Sequence, residues 1–575
     1  DATEPAPAAN GDASAASIPD LTEFQWYADN DGRMAGVSAE EAADVDYGDW
    51  NNPEAATSLD EVVVAVLDNG VDASNPDLAP VMWSWNDCSD ATKAQLQDIP
   101  GADEHGFSAG APGTTSTTGI ANYHGTHVAG IIGAEWNGMG TSGIAPNASI
   151  LSVRHDDTLS GILRCLDYLA AARYAGVPVE VVNNSWTMGQ PQWRSIDLAI
   201  TAIGKRGITS VFGVGNSARN NDEAPATPTL LADNPYVVAV SSLDVTGEMS
   251  PFSQYGETTA DVMAPGGGIL STYGTAMQQY LAEGDAEAVL YQSFDGSSHA
   301  AAGVDEAEAK AFTFHPRGSS DCSIEEVGDQ RRFDGDAALE VTMPTGVAIL
   351  ESSVIDLSGV EQPPTHMSIR YMPKADEAAV AGALVQVKMK NGDWIPAASL
   401  IPQAFGLGGG SWGGFSLDLS KAPEFDSIDW EHFQIQILCM LSKFSYVDGL
   451  QYGQPGGPEA PTLVPGTLVI DSIGLGSDTV PYTYLDGTSM ATPAAAGAAA
   501  VLAGAGLAEV EDDPAKSAEK LAALLRAAAE PNAAYEGLCS TGGSVSVDNA
   551  LVEDDLGPAI TAVADAGDEL KVQGY

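Results

Sequence analysis

The sequence predicts an α/β fold, a parallel sheet covered by helices on both faces, interrupted by an inserted all-β sandwich of jelly-roll type. Three observations carry this. Continuous β-branched runs alternate with helix-like segments up to about residue 275. From 276 to 478 the pattern becomes one of short strands separated by turn signals. The helical pattern then resumes at Ser489. Alternating strands and helices imply a parallel sheet, whereas many short strands without helices imply a sandwich or barrel.

Residues 1–60 open with "DATEPAPAANGDASAAS", which lacks the basic and apolar parts of a signal peptide. It reads as a flexible mature end leading into a segment that packs on the α/β domain. The first part of that domain spans 61–275. "EVVVAVL" (61–67) ends at Asp68 and reads as a strand buried on both faces. "ASILSVR" (148–154), "VEVVNNS" (179–185), "ITSVFGVG" (208–215) and "YVVAVSS" (236–242) repeat the signal. "GTHVAGIIGAEW", "GILRCLDYLAAARYAG" and "WRSIDLAITAIGKRG" read as the helices between them, with glycine as a stop signal. Function in such sheets gathers at the carboxyl ends of the strands.

In the inserted domain (276–478), "AALEVTM", "VAILESSVIDL", "HMSIRYM", "ALVQVKMKNGDWIPA", "FSLDLS", "FQIQIL" and "TLVIDSIGL" read as strands. The Asn391-Gly392 pair marks a hairpin. The second part of the α/β domain spans 479–555. Residues 556–575 show two strand-like runs, read as the opening of a further β domain.

A chain of 575 residues exceeds one ordinary core. Its 23 Lys and Arg stand against 80 Asp and Glu, a net charge of −57, so the basic footprint that nucleic acid requires is missing. The five cysteines form no CxxC pair, which argues against a zinc site or a disulfide-dense scaffold; Cys322 and Cys439 fall in the same predicted domain. The apolar run from Ala494 to Ala508 is dominated by Ala and Gly and reads as a buried helix, not a transmembrane segment.

Chemistry concentrates in three segments. "VAVLDNGVD" puts Asp68 at a strand end, "NYHGTHVAG" puts His124 on a turn entering a helix, and "DGTSMATP" puts Ser489 at the start of another. A serine hydroxyl is a poor nucleophile at neutral pH and needs an adjacent base, for which histidine titrates in the right range. That base needs a carboxylate to hold its tautomer and stabilise the imidazolium. Asp68, His124 and Ser489 fit these three roles.

With "DNGVD", "HGTHVAG" and "GTSMATP" in this order, the chain resembles the subtilisin-like serine endopeptidases, the subtilases, over roughly 60–275 and 479–550. The resemblance implies a subtilisin-like sheet and a secreted or cell-surface enzyme that hydrolyses polypeptides through an acyl-enzyme. It selects His124 as the catalytic histidine and leaves His127 as a packed one. It also implies an oxyanion-hole asparagine at Asn216. A substrate-binding edge follows at Ser185, Trp186 and Thr187, with Gly213, Val214 and Gly215 lining the first pocket. Asp222 and Glu223 follow nearby and read as a solvated acidic loop. A structural Ca²⁺ is implied at Asp77 and Asn137, with carbonyls of Glu135, Met139 and Thr141 and the Gln25 side chain completing an oxygen cage.

Two features depart from the family. Pro493-Ala494-Ala495-Ala496-Gly497 lacks the histidine that commonly follows the proline, and the insertion separates Ser489 from its partners. "GGSWG" around Ser411 matches a nucleophile-elbow pattern without the required strand-turn-helix context. No HExxH spacing supports a zinc protease. Two alternatives remain open at this level: a catalytically idle adhesin or scaffold whose β insertion binds a glycan or protein, and a processing protease with one dedicated substrate.

Overall fold

The computed structural model describes residues 25–28, most of 59–547, and 560–565 and 570–574. Ser411 and most of residues 1–60 lie outside the described residues.

The α/β part is built on a ten-stranded sheet. Its strands are β1 (Val62–Asp68), β2 (Ala102–Asp103), β3 (Gly106–Ser108), β4 (Ala148–Arg154), β5 (Val179–Asn184), β6 (Thr209–Gly213), β7 (Val237–Leu243) and β8 (Val262–Pro265). They lie in the order β2-β3-β4-β1-β5-β6-β7-β8, followed by Gly543–Ser544 and Glu530–Pro531. Pairing is parallel from β3 through β8. All seven residues of β1 are buried, and their alternation explains why. Val62, Val64 and Val66 enter one core; Val63, Ala65 and Leu67 enter the other. The first core is closed by the histidine helix Tyr123–Gly133 and the serine helix Thr488–Gly504. The second is closed by helices Leu159–Ala175 and Trp193–Gly204. Both sides of the central strand are thus apolar, as its unbroken Val run requires.

The expected elements of the α/β part appear at or within about three residues of their predicted bounds, and those of the β-rich part within about five. Helix Leu159–Ala175 stops at Gly176, which takes φ 100°. The short strands β2, β3 and β8 and helices Asp90–Gln97 and Pro514–Ala527 were not among the expected elements, although Ala518, Leu521, Ala522 and Leu525 of the last helix recur at helical spacing.

The stretch between the two α/β pieces forms two antiparallel sheets. Gly466–Gly476 is central to one and Ile435–Lys443 to the other. A single apolar core lies between them, built from Val341, Met367, Ile369, Leu350, Phe433, Ile437 and their neighbours; Cys439 belongs to it and Cys322 packs against it. Asn391-Gly392 does turn a hairpin: Lys388 faces Trp394, and Gly392 sits at φ 87°. Residues Ile560–Asp565 and Leu570–Gly574 pair as a second hairpin.

The segments that flank this stretch meet. Strand β9 (Ile269–Thr272), just before it, pairs antiparallel with Tyr482–Leu485, just after it. This ladder returns the chain to the α/β part seven residues upstream of Ser489, so the two pieces close into one fold.

Candidate active site

The site is assembled at the carboxyl ends of β1, β5 and β6. Asp68 ends β1 with its side chain 4% exposed. Its Oδ1 and Oδ2 lie 2.8 and 3.0 Å from His124 Nδ1, and Oδ1 also accepts the Asn69 N–H at 2.7 Å. Asn69 Oδ1 accepts the Gly125 N–H at 2.9 Å, which ties the start of the histidine helix to the end of β1. Gly125 is a steric requirement. A Cβ there would stand 2.3 Å from the Gly70 carbonyl oxygen and 3.1 Å from Asp68 Cβ. Burial pulls the His124 pKa down, but the charge and hydrogen bond of Asp68 outweigh it, leaving the imidazole above its ordinary value. His127 is fully buried and its Nε2 donates to the Ile269 carbonyl at 3.0 Å, the packed role expected of it.

Ser489 is the second residue of its helix, and the helix cap is Gly487 at φ 154° and ψ 155°, a conformation that favours glycine. Gly487 has no side chain of its own to cap this N-terminus. Thr488 donates to Asn216 Oδ1 twice, from its N–H at 2.8 Å and its hydroxyl at 2.9 Å. With its oxygen so held, Asn216 turns Nδ2 toward Gly487. A Cβ on Gly487 would lie 3.4 Å from Asn216 Nδ2 and 3.5 Å from Ser489 N. Two donors, Asn216 Nδ2 and the Ser489 N–H, therefore lie beside Gly487. Asp486 pins the same turn by accepting the Gly268 N–H at 2.7 Å. Burial pushes this carboxyl up to about 7, with that hydrogen bond opposing and Asp244 reinforcing the shift.

The Ser489 hydroxyl donates to the Ser185 carbonyl at 3.2 Å. In return, the Ser185 hydroxyl donates to the Ser489 carbonyl at 2.7 Å, and Asn183 Nδ2 donates to Ser185 Oγ at 2.9 Å. The reason lies four residues on. In a helix the Ser489 carbonyl would accept the N–H of residue 493, and that residue is Pro493, which has none. Ser185 satisfies the orphan.

The remaining substrate-edge residues divide. Trp186 turns inward: its ring packs edge-on against Phe212 at 5.4 Å and His155 at 6.2 Å, so its side chain belongs to the second core. Thr187 is exposed. Gly213 packs under the serine helix, where a Cβ would stand 2.9 Å from Thr492 Oγ1. Val214 is fully buried, and Gly215 takes φ 110° and donates to Thr488 Oγ1 at 3.2 Å. Asp222 accepts from the hydroxyls of Thr258 at 2.8 Å and Thr259 at 2.7 Å, anchoring a surface turn. Glu223 beside it is exposed.

The six residues assigned to calcium meet in one loop cluster. Asp77 is fully buried; its Oδ2 accepts the Thr141 N–H at 2.8 Å and its Oδ1 lies 3.4 Å from Asn137 Nδ2. Asn137 also donates to Glu135 Oε2 at 3.2 Å and accepts the Met139 N–H at 2.8 Å. Gln25 exchanges two 2.8 Å hydrogen bonds with the backbone of Ser142. Burial pushes Asp77 up to about 6; the Tyr482 hydroxyl, Thr141 N–H and Asn137 amide oppose, and Glu135 reinforces. Among the described residues no three His, Cys, Asp or Glu side chains cluster as a metal site. An oxygen-rich set around one under-compensated carboxylate does fit a hard cation.

Several positioning residues escaped the sequence reading: Asn69, Asp486, Gly487 and Thr488 sit inside the recognised motifs, and Ser185 acts through its side chain. A proline four residues after the serine was the available signal for Ser185.

Residues 60–326 match the Subtilase family. An extracellular protease of Xanthomonas campestris is 32% identical over 253 residues, 41% of this chain and 41% of that protein. Subtilisin-like protease 2 of Plasmodium falciparum is 30% identical over 220 residues, 37% of this chain and 15% of that protein. Thermitase of Thermoactinomyces vulgaris is 32% identical over 217 residues, 37% of this chain and 66% of that protein. The chain thus spans less than half the length of the first two relatives. Over residues 60–326, a stretch that runs past the α/β strands into the first strands of the β-rich part, the chain is subtilase-like.

Proposed function

We propose that the chain is a serine endopeptidase acting on polypeptides through an acyl-enzyme. The carrying observation is the His124 imidazole held by Asp68 at 2.8 Å, at the same sheet end as Ser489 and the Asn216–Ser489 donor pair. Ser489 rotates off the Ser185 carbonyl and attacks the scissile carbonyl carbon as His124 Nε2 takes its proton. Asp68 holds the tautomer and stabilises the imidazolium. Asn216 Nδ2 and Ser489 N–H receive the oxyanion. His124 then protonates the leaving amine, water hydrolyses the ester, and the proton returns to Ser489. The edge at Ser185, Trp186 and Thr187 serves the substrate through its backbone, with Gly213, Val214 and Gly215 beside the first pocket.

The domain division at 61–275, 276–478 and 479–555, with the insertion as a jelly-roll-type sandwich, belongs to this proposal, and the β9 ladder supports it. So do secretion and a structural Ca²⁺ held by Asp77, Glu135, Asn137, Met139, Thr141 and Gln25, which would neutralise the buried Asp77 and stiffen its loop. Among the described residues no helix is long and apolar enough to cross a membrane.

The test is hydrolysis of a denatured protein substrate by the intact chain and by Ser489→Ala. A loss on the order of 10⁶-fold in kcat is expected; equal activity in both would sink the proposal.

A further inference from the structure

The strand Tyr482–Leu485 links three regions that the mechanism treats separately. It leaves the insertion, pairs with β9 through Tyr482↔Thr272 to Leu485↔Ile269, and leads directly into the nucleophile turn. β9 in turn holds the histidine helix: the Thr272 hydroxyl donates to the Thr126 carbonyl at 2.8 Å and the Ser271 hydroxyl to that of His127 at 2.9 Å. This ladder therefore touches the elements that carry both His124 and Ser489.

At its upstream end the Tyr482 side chain is fully buried and points into the Asp77 loop. Gly140, at φ 55°, makes the room. A Cβ there would stand 2.0 Å from the Tyr482 hydroxyl and 2.3 Å from Asp77 Oδ2. By strict geometry the hydroxyl closes no hydrogen bond among the described residues, though it faces the Asp77 carboxylate. A buried hydroxyl left in this state is costly, so it implies a partner that draws the two together.

We propose that Tyr482 is a positioning residue that couples cation binding at Asp77 to the Ser489 turn. In the cation-bound protein its hydroxyl donates to the Asp77 carboxylate, orienting that oxygen toward the ion as outer-shell donors do for ligating carboxylates. The ion thereby fastens the end of the β9 ladder, and the seven residues that follow Tyr482, up to Ser489, gain a fixed origin. The inference rests on the calcium reading above.

The experiment uses the full chain in a Ser489→Ala background, which prevents self-cleavage, and compares it with the same chain carrying Tyr482→Phe or Asp77→Asn. Phenylalanine keeps the buried ring, and an unchanged melting temperature in chelator would verify the fold. Calorimetric titration with Ca²⁺ is expected to show binding weakened about 10–100-fold by Tyr482→Phe and abolished by Asp77→Asn. Hydrogen exchange of the 482–488 amides is expected to slow on Ca²⁺ addition in the parent and much less in Tyr482→Phe at saturating Ca²⁺. Absence of Ca²⁺ binding by the parent overturns the calcium reading and the inference with it. Equal affinity in parent and Tyr482→Phe, or equal slowing of exchange, overturns the inference and leaves the calcium reading standing.

Discussion

The α/β part and the β sandwich bury their polar groups differently. Among the described residues of the sandwich, the buried polar side chains are Gln292, Ser352, Gln434 and Gln436. Gln292 and Gln434 donate to nearby backbone carbonyls, at Ala309 and Phe312 and at Ser352. These bonds also cross between elements, Gln434 reaching Ser352 over 82 residues, but they end on backbone carbonyls of the sandwich itself. In the α/β part Asp68, Asn183, Ser185 and Thr488 are buried at one end of the sheet, and their bonds cross from element to element toward Ser489 or His124. The difference shows where folding has tolerated the cost of polar burial to hold a geometry, and where burial only closes a core.

Substitutions at the two kinds of site should therefore separate rate from stability. The largest effect is expected from Asp68→Asn, with kcat falling about 10⁴-fold because the imidazole loses its tautomer partner. His124 acts as a base only when neutral, and Asp68 holds it above the ordinary histidine value. The acidic limb of kcat/KM in the parent should accordingly lie above that of a free histidine, and shift to lower pH in Asp68→Asn. A pH–rate profile with an unmoved limb would break the assignment of that limb to His124.

On the sandwich side, Phe433→Ala empties a fully buried position against Trp430, whose ring stacks on it at 5.3 Å. Thermal or urea unfolding should register a loss of about 3–5 kcal/mol, with kcat unchanged below the new transition. A fall in kcat without unfolding would mean that the sandwich shares in the chemistry, and the comparison would fail. Asn216→Ala should do the reverse, costing about 10²–10³ in kcat with little change in KM or melting temperature. The smallest effect is expected at Ser185→Ala, which leaves the Ser489 carbonyl without its donor. A buried acceptor stranded in this way costs about 1–3 kcal/mol, to be read as lower melting temperature together with reduced kcat. Stability loss alone would show that this bond holds the helix and not the nucleophile.

Much of this was legible in the sequence because it rested on local signals. Asp68, His124, Asn216 and Ser489 stand beside glycines in short motifs, and β1, β4 and β5 were visible as β-branched runs. Trp186 carries its side chain inward against Phe212 and His155, a direction that periodicity at a sheet edge does not encode. Asp222 is exposed, as a solvated acid is, and Thr258 and Thr259 also make it a turn anchor, through pairings across 36 and 37 residues that no local pattern encodes. Strands β2, β3 and β8 have two to four residues, too few for a period to show.

The sequence by itself determined the kinds of layer and the chemical groups, because hydrophobic period and motif glycines are properties of neighbours along the chain. Tertiary structure decided what brings Ser489 to Asp68 and His124. Pairing of β9 with Tyr482–Leu485 rejoins segments more than two hundred residues apart, and the orphan carbonyl made by Pro493 finds Ser185 across 304 residues. Such contacts depend on which surfaces are complementary once the sheet has formed, and that information lies in the packed arrangement.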